Sequence, residues 1–208
     1  MKAEDYLNIL KNEIHSAVFA TVDEDGLPET RVIDIMLADG DGIYFLTAKG
    51  KRFYKQLMDK KFAAVSGMTR GEDSLHRKAV SIRGRIKNIG SKRLDDIFRE
   101  NPYMEKIYPD KESRSALEVF VLYEGQGEYF DLSASPIYRD EFVIGDIRKE
   151  ESGYFITDKC RGCKICYSRC PQKCIDISVK PVKIRQENCL RCGNCYDVCP
   201  FGAVERKF

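Results

Sequence analysis

The chain has nine cysteines, none before position 160. Cys160, Cys163, Cys166 and Cys170 run into Pro171 as CRGCKICYSRCP, and Cys189, Cys192, Cys195 and Cys199 run into Pro200 as CLRCGNCYDVCP. The two runs superpose with a constant offset of 29 residues, and Ile175 matches Val204 beyond the prolines. This is a duplicated half-domain. Thiolates are soft donors that suit iron–sulfur clusters and zinc. Zinc modules seldom repeat three tight cysteines plus Cys-Pro, so zinc is the lesser alternative. Disulfides fit poorly with an odd cysteine count. The odd one, Cys174, falls opposite Ala203. It is expected as a small buried hydrophobe, the alternative being a spare thiol that replaces a damaged ligand.

The spacing C-x2-C-x2-C-x3-C-P resembles the bacterial two-cluster ferredoxins over roughly residues 152–206. The resemblance implies that three close thiolates hold three irons of one 4Fe–4S cube while the cysteine before proline serves the other cube. One cluster then takes Cys160, Cys163, Cys166 and Cys199, and the other takes Cys189, Cys192, Cys195 and Cys170. It also implies low-potential, one-electron transfer. Around these ligands, Tyr154-Phe155-Ile156, Ile175-Asp176-Ile177 and Val182-Lys183-Ile184 read as short strands. Only a helical turn fits between the third and fourth cysteines of each run.

The formal net charge of +2 divides unevenly: residues 1–150 carry 24 Lys+Arg against 27 Asp+Glu, and residues 151–208 carry 11 against 6. A basic tail can signal nucleic acid, but two cluster sites, each about −2 from four thiolates and a dipositive core, nearly cancel this excess, so no nucleic-acid partner is expected. Hydrophobic residues at 43 % support a packed core, and 33 % charged residues a solvated surface. No run approaches the roughly 18 apolar residues of a membrane helix, so no membrane partner is expected. The opening MKAEDYLNIL has early acidic residues and no apolar signal core. A cytoplasmic location, where thiols stay reduced, is the expectation.

Upstream, the periodicity changes. Asp5 to His15 carries Leu7, Leu10 and Ile14 at helical spacing. Six β-rich segments follow, at 17–22, 30–37, 42–47, 62–66, 80–89 and 117–130, with Asp-Gly turns between the early ones. Helices are expected at 51–60 and 91–99, the second capped by Ser91. Six strands without a Rossmann glycine pattern suggest an antiparallel barrel, giving a mainly β chain with some helix, followed by a small α+β ferredoxin-type domain. The expected boundaries are residues 1–131, a linker at 132–151, and residues 152–208.

The stretches VFATVDEDGLPETRVIDIML, IYFLTAKGKRFYKQLMDKKFAAVSG and VSIRGRIKNI resemble the FMN-binding split barrels of the pyridoxamine 5′-phosphate oxidase-like superfamily, over about residues 1–131. FMN's phosphate needs cations and hydroxyl or amide donors. The resemblance assigns those roles to Arg31, Thr47, Lys49, Gly50 and Lys51, and main-chain bonds to the flavin ring to Arg31, Val32 and Ile33. It also implies a homodimer with flavin between protomers, for which the loop TRGEDSLHR (69–77) is the candidate second-protomer contact. The sequence departs from the true oxidases. It has no tryptophan and lacks their C-terminal arginine–histidine signature, and passing electrons to oxygen would sit badly beside oxygen-labile clusters. Of the two histidines, His15 is expected to meet a helix C-terminal dipole and His76 to lie in a solvated loop.

These readings imply an FMN- and ferredoxin-linked oxidoreductase of an anaerobe. Single electrons pass between two 4Fe–4S clusters and FMN, exchange with a soluble low-potential protein partner, and reduce a small organic substrate at the flavin. The alternative is a non-catalytic electron carrier or redox sensor serving a protein partner. Deazaflavin or haem in place of FMN is a third possibility, though two histidines argue against haem.

Overall fold

The computed structural model describes residues 1–207. They form two compact units, one of residues 1–129 with 141–148 and one of residues 130–140 with 149–207.

The first unit opens with helix α1 (Ala3–Asn8), which widens into a π-helical turn at Ile9–Ile14. The turn ends where the His15 N–H donates to the Leu10 carbonyl, a bond one residue longer than the α-helical kind. The strands are β1 (Ser16–Val22), β2 (Pro28–Asp34), β3 (Leu37–Asp39), β4 (Gly42–Ala48), β5 (Phe62–Met68), β6 (Lys78–Gly90), β7 (Leu117–Asp131) and β8 (Tyr138–Ile144). Helix α2 (Arg52–Lys60) separates β4 from β5, while α3 (Leu94–Glu100) and the short α4 (Lys111–Arg114) lie between β6 and β7. The eight strands make one sheet in the order β2-β1-β5-β6-β7-β4-β3, with β8 beside β7. The result is a mixed α/β fold dominated by a large sheet.

Strand patterning follows burial. β1 alternates between exposed and buried residues, as a strand with one wet face must. β4, GIYFLTA, is buried at every position but the last. One of its faces meets rings and the other meets Ile97 and Phe98 of α3, in a cluster with Met104, Leu117 and Val119. The rings join distant strands. Phe19 of β1 and Phe45 of β4 approach to 4.7 Å between centroids although three strands separate them in the sheet, and Phe45 stacks on Phe120 of β7 and on Phe53 of α2. The sheet therefore curls around an aromatic core. Glycine permits a tight crossing of β6 and β7: a Cβ on Gly84 would sit 2.1 Å from the Glu124 carbonyl oxygen, and one on Gly125 would sit 2.5 Å from that of Arg83.

The eight strands exceed the six expected because 30–37 divides into β2 and β3, and because β8 occupies part of 132–151. Ser133, Ser135 and Pro136 do interrupt extended structure, but it resumes at Tyr138. Ser91 does not cap α3. Arg93, in a left-handed conformation, takes the cap position and Ser91 offers only its carbonyl to Leu94.

The second unit is small. β9 (Gly153–Ile156) pairs with β12 (Val204–Lys207), and β10 (Ile175–Asp176) pairs with β11 (Lys183–Ile184). Single helical turns α5 (Ile165–Arg169) and α6 (Asn194–Asp197) fill the cysteine runs. The duplication reaches the backbone. Positive φ angles recur 29 residues apart at Gly162 and Arg191, Lys164 and Gly193, and Lys173 and Gly202. Three of these six carry side chains, so the ligand loops hold a conformation costing roughly 1–2 kcal/mol per such residue.

Candidate functional site

The eight matched cysteines fall around two cavities of the second unit. Cys160, Cys163, Cys166 and Cys199 line one, together with Ile156 and Ala203. Cys170, Cys189, Cys192 and Cys195 line the other, together with Cys174 and Tyr154. The cysteine before each proline thus faces the cavity of the opposite run. No group of His, Cys, Asp and Glu among the described residues is arranged to hold a single metal ion. A zinc ion needs every thiolate about 2.3 Å from one point, whereas a cube bonds each thiolate at a different corner iron. Four soft donors spread around an apolar cavity fit a 4Fe–4S cube.

The cavities differ electrostatically. Cys189 is held below its ordinary value: the Cys174 thiol donates to it, outweighing burial, and the Arg191 N–H with the Arg139 and Arg191 charges add to the effect. Burial, with Cys189 nearby, pushes Cys195 up to about 11. A backbone N–H group reaches sulfur in each cavity, with Arg191 N 3.3 Å from Cys189 Sγ and Ala203 N 3.3 Å from Cys199 Sγ.

In the first unit, Arg31 points from β2 onto α2. Its guanidinium lies 4.6 Å from the Phe53 ring centroid and donates to Gln56 Oε1 at 3.0 Å and Thr21 Oγ1 at 2.5 Å, with Glu29 at 3.3 Å. Burial lowers its pKa, partly offset by Glu29. Lys51 is the N-cap of α2 but supplies no side-chain cap, so the first N–H groups of this nine-residue helix keep no intrahelical partner. Thr47 is the penultimate residue of β4, two positions before Lys49-Gly50-Lys51. It is only 3 % exposed, and its Oγ1 has no hydrogen-bond partner. The space around Gly50 is open. Among the described residues β2 pairs only with β1, so one edge of Arg31-Val32-Ile33 offers free main-chain groups. An orphaned hydroxyl, an uncapped helix start and cations beside a free strand edge fit the phosphate and ring of FMN.

Lys49 stands slightly apart, 3.7 Å from Glu118, the residue opposite Thr47 on β7. Hydrogen bonds from Asn88 and then Tyr54 hold the Glu118 carboxyl below its ordinary range. Sequence patterning missed Gln56. It lies on the buried face of α2 with Phe53 and Leu57, and a polar residue at that helical position was the available signal. Arg52, 3.3 Å from Glu29, was also missed.

The histidines fall differently. His76 Nδ1 meets Asp73 at 2.8 Å in an exposed loop. His15 has a φ of 60° after the π turn, and its Nε2 lies 3.2 Å from Tyr103 Oη and 3.5 Å from Asp34. Ser16 and Tyr103 each donate to Asp34 at 2.6 Å. Burial would raise the Asp34 pKa, but these bonds and His15 bring it below its ordinary 3.8. A depressed folded pKa contributes stability that is fully present above the unfolded value and is lost as pH falls through the folded one. Asp34→Asn should therefore cost about 1–2 kcal/mol at neutral pH, with the gap to the parent closing below about pH 4. Urea titrations of both proteins across that range measure it, and a gap independent of pH would refute the assignment.

A thiol-lined pair of cavities and a candidate phosphate cradle on one chain fit a flavin- and iron–sulfur-binding protein. The comparisons with known proteins agree. The family model of pyridoxamine 5′-phosphate oxidase matches residues 4–125, and the chain belongs to that family. A 4Fe–4S dicluster domain matches residues 159–203. The chain is 33 % identical over 105 residues to indolepyruvate oxidoreductase subunit IorA of Pyrococcus horikoshii, covering 48 % of this chain and 16 % of that one. It is 28 % identical over 120 residues to pyridoxine/pyridoxamine 5′-phosphate oxidase of Rhizobium etli, covering 57 % and 56 %. The chain thus spans about a sixth of the first relative and just over half of the second. Its fold is similar to that of a NimC/NimA family protein from Clostridium acetobutylicum, with a TM-score of 0.55 at 17 % identity over 67 % of this chain and 91 % of that one. The chain thus joins an FMN-binding domain of the oxidase family to a dicluster domain, and its similarity to pyridoxamine phosphate oxidase is partial. No helix among the described residues is long and apolar enough to cross a membrane.

Proposed function

We propose that this protein joins one-electron exchange with a soluble low-potential protein partner to the reduction of a small organic molecule. The observation that carries the reading is the presence on one chain of two cysteine-lined cavities and a phosphate cradle beside a free strand edge. When bound, the clusters carry single electrons and FMN holds one or two, so together they supply the conversion between the two currencies.

In this reading Arg31, Lys51 and the α2 N–H groups hold the phosphate, Thr47 donates its hydroxyl, and the β2 edge positions the ring. The sheet is a split barrel: the two ends of its strand order, β2 and β3, are separated in the chain by only Ile35 and Met36, and Met36 N–H donates to the Tyr44 carbonyl of β4. A second copy covers the outer face, where Val18, Val32, Phe62 and Met68 stay exposed beside a cleft of about 390 Å³. Strand alternation and register put all four on that face.

Arg31→Ala and Lys51→Ala should each weaken FMN binding by about 10- to 100-fold, the worth of a charge-assisted hydrogen bond. Fluorescence of FMN released on dilution measures this, and unchanged retention in both variants would remove the cradle assignment. The function itself is tested by an anaerobic absorption spectrum during reductive titration, followed by a substrate screen. Bleaching of flavin and iron–sulfur bands, then substrate-dependent reoxidation, is expected. Reoxidation only by protein partners would make the chain an electron carrier.

A further inference from the structure

The two cavities are related by the 29-residue duplication, yet they are not lined alike. Position 174 and its counterpart 203 each face their own cavity. Both are essentially buried, at 2 % and 1 % exposed. One is a thiol and the other a methyl group. The thiol lies among ligands: Cys174 Sγ is 3.5 Å from Cys170 Sγ and is hydrogen-bonded to Cys189. Cys170 and Cys174 are also the two thiols that the 170–174 segment brings to this cavity, on either side of the Pro171 turn. The second cavity therefore has five sulfurs for four corners, and the fifth stands at hydrogen-bond distance from the ligand before proline.

We propose that Cys174 is a reserve iron ligand of the second cavity, able to take the corner served by Cys170 when that thiolate is lost. The exchange is redox-neutral. The Cys174 thiol gives its proton to water and its sulfur bonds the corner iron; where Cys170 is still present, its iron–sulfur bond breaks and it takes up a proton. Iron and sulfide keep their oxidation states. The first cavity has no such reserve, because Ala203 stands where the fifth thiol would be. Damage to Cys170 is thereby tolerated and damage to Cys199 is not. This goes beyond the proposed activity and rests only on the assignment of two clusters.

The test uses the full chain, purified anaerobically, with iron and acid-labile sulfide counted per chain and the reduced clusters examined by electron paramagnetic resonance. Cys170→Ala and Cys174→Ala should each retain two clusters, and Cys170→Ala/Cys174→Ala should retain one. Cys199→Ala should retain one. Adding Ala203→Cys to Cys199→Ala should restore the second cluster by building the missing reserve. Retained FMN, held by the other unit, controls for loss of the whole protein. If Cys170→Ala loses as much iron as the double variant, the proposal is overturned. Should Cys170→Ala not fold, the Cys199→Ala/Ala203→Cys pair decides, and failure of Ala203→Cys to restore a cluster then overturns it. A parent protein with fewer than two clusters would overturn the cluster assignment itself and this inference with it.

Discussion

Phe45→Ala should destabilise the sheet unit by about 3–5 kcal/mol, the cost of deleting a buried phenylalanine and leaving part of its volume empty. Phe45 is fully buried, and its ring touches those of Phe19, Phe53 and Phe120. Those three rings come from β1, α2 and β7, so no single neighbour can shift to fill the gap. The effect should reach the cofactor. Phe53 also underlies the Arg31 guanidinium, and a loosened Phe53 frees the side chain assigned to the phosphate. Backbone hydrogen exchange at β1, β4 and β7 measures the loss, because the two units need not unfold together. A change below about 1 kcal/mol would mean that the core closes over the missing ring, and the aromatic cluster would lose its keystone role.

Removal of iron should unfold the second unit and leave the first intact. The buried core of the second unit consists of Tyr154, Ile175, Val182, Cys195 and Val204. Two of its four strands are two residues long. Cores of this size rarely supply more than about 3–5 kcal/mol, and small domains make up the difference with metals or cross-links. The left-handed turns at Lys164, Lys173 and Arg191 add to the deficit. After chelation under reducing, anaerobic conditions, amide protection at β9 and β12 should disappear while that at β1 and β5 persists. Protection that survives chelation would show that the apolar core suffices alone.

The sequence made the cluster ligands legible because coordination chemistry fixes both residue type and spacing. The doubled pattern with its matching prolines favours clusters over zinc, and the structure groups the eight cysteines around two cavities. The strands were legible where burial alternates, as in β1, and where it is continuous, as in β4. β3, at three residues, is too short to carry a period, and β8 follows a Ser-Pro stretch that signals only interruption. Gln56 escaped because the periodicity of α2 assigns its position to an apolar neighbour. Only the fold shows that it meets Arg31. Left-handed residues that are not glycine, such as Arg191, leave no local mark. They are imposed by the ligand loops, and the equivalent glycines at 162, 193 and 202 become informative only once the repeat is aligned.

The crossing of ligands between the two runs also bears on how such a protein is made. Three thiols of the first cavity lie in the first run, but the fourth, Cys199, is the last cysteine of the second. Its cluster cannot be completed on a nascent chain that stops at the first repeat, nor can either repeat be expressed as a one-cluster miniature with its own four ligands. In the proposed assignment, the first cluster is completed only when synthesis has reached the last cysteine of the second run.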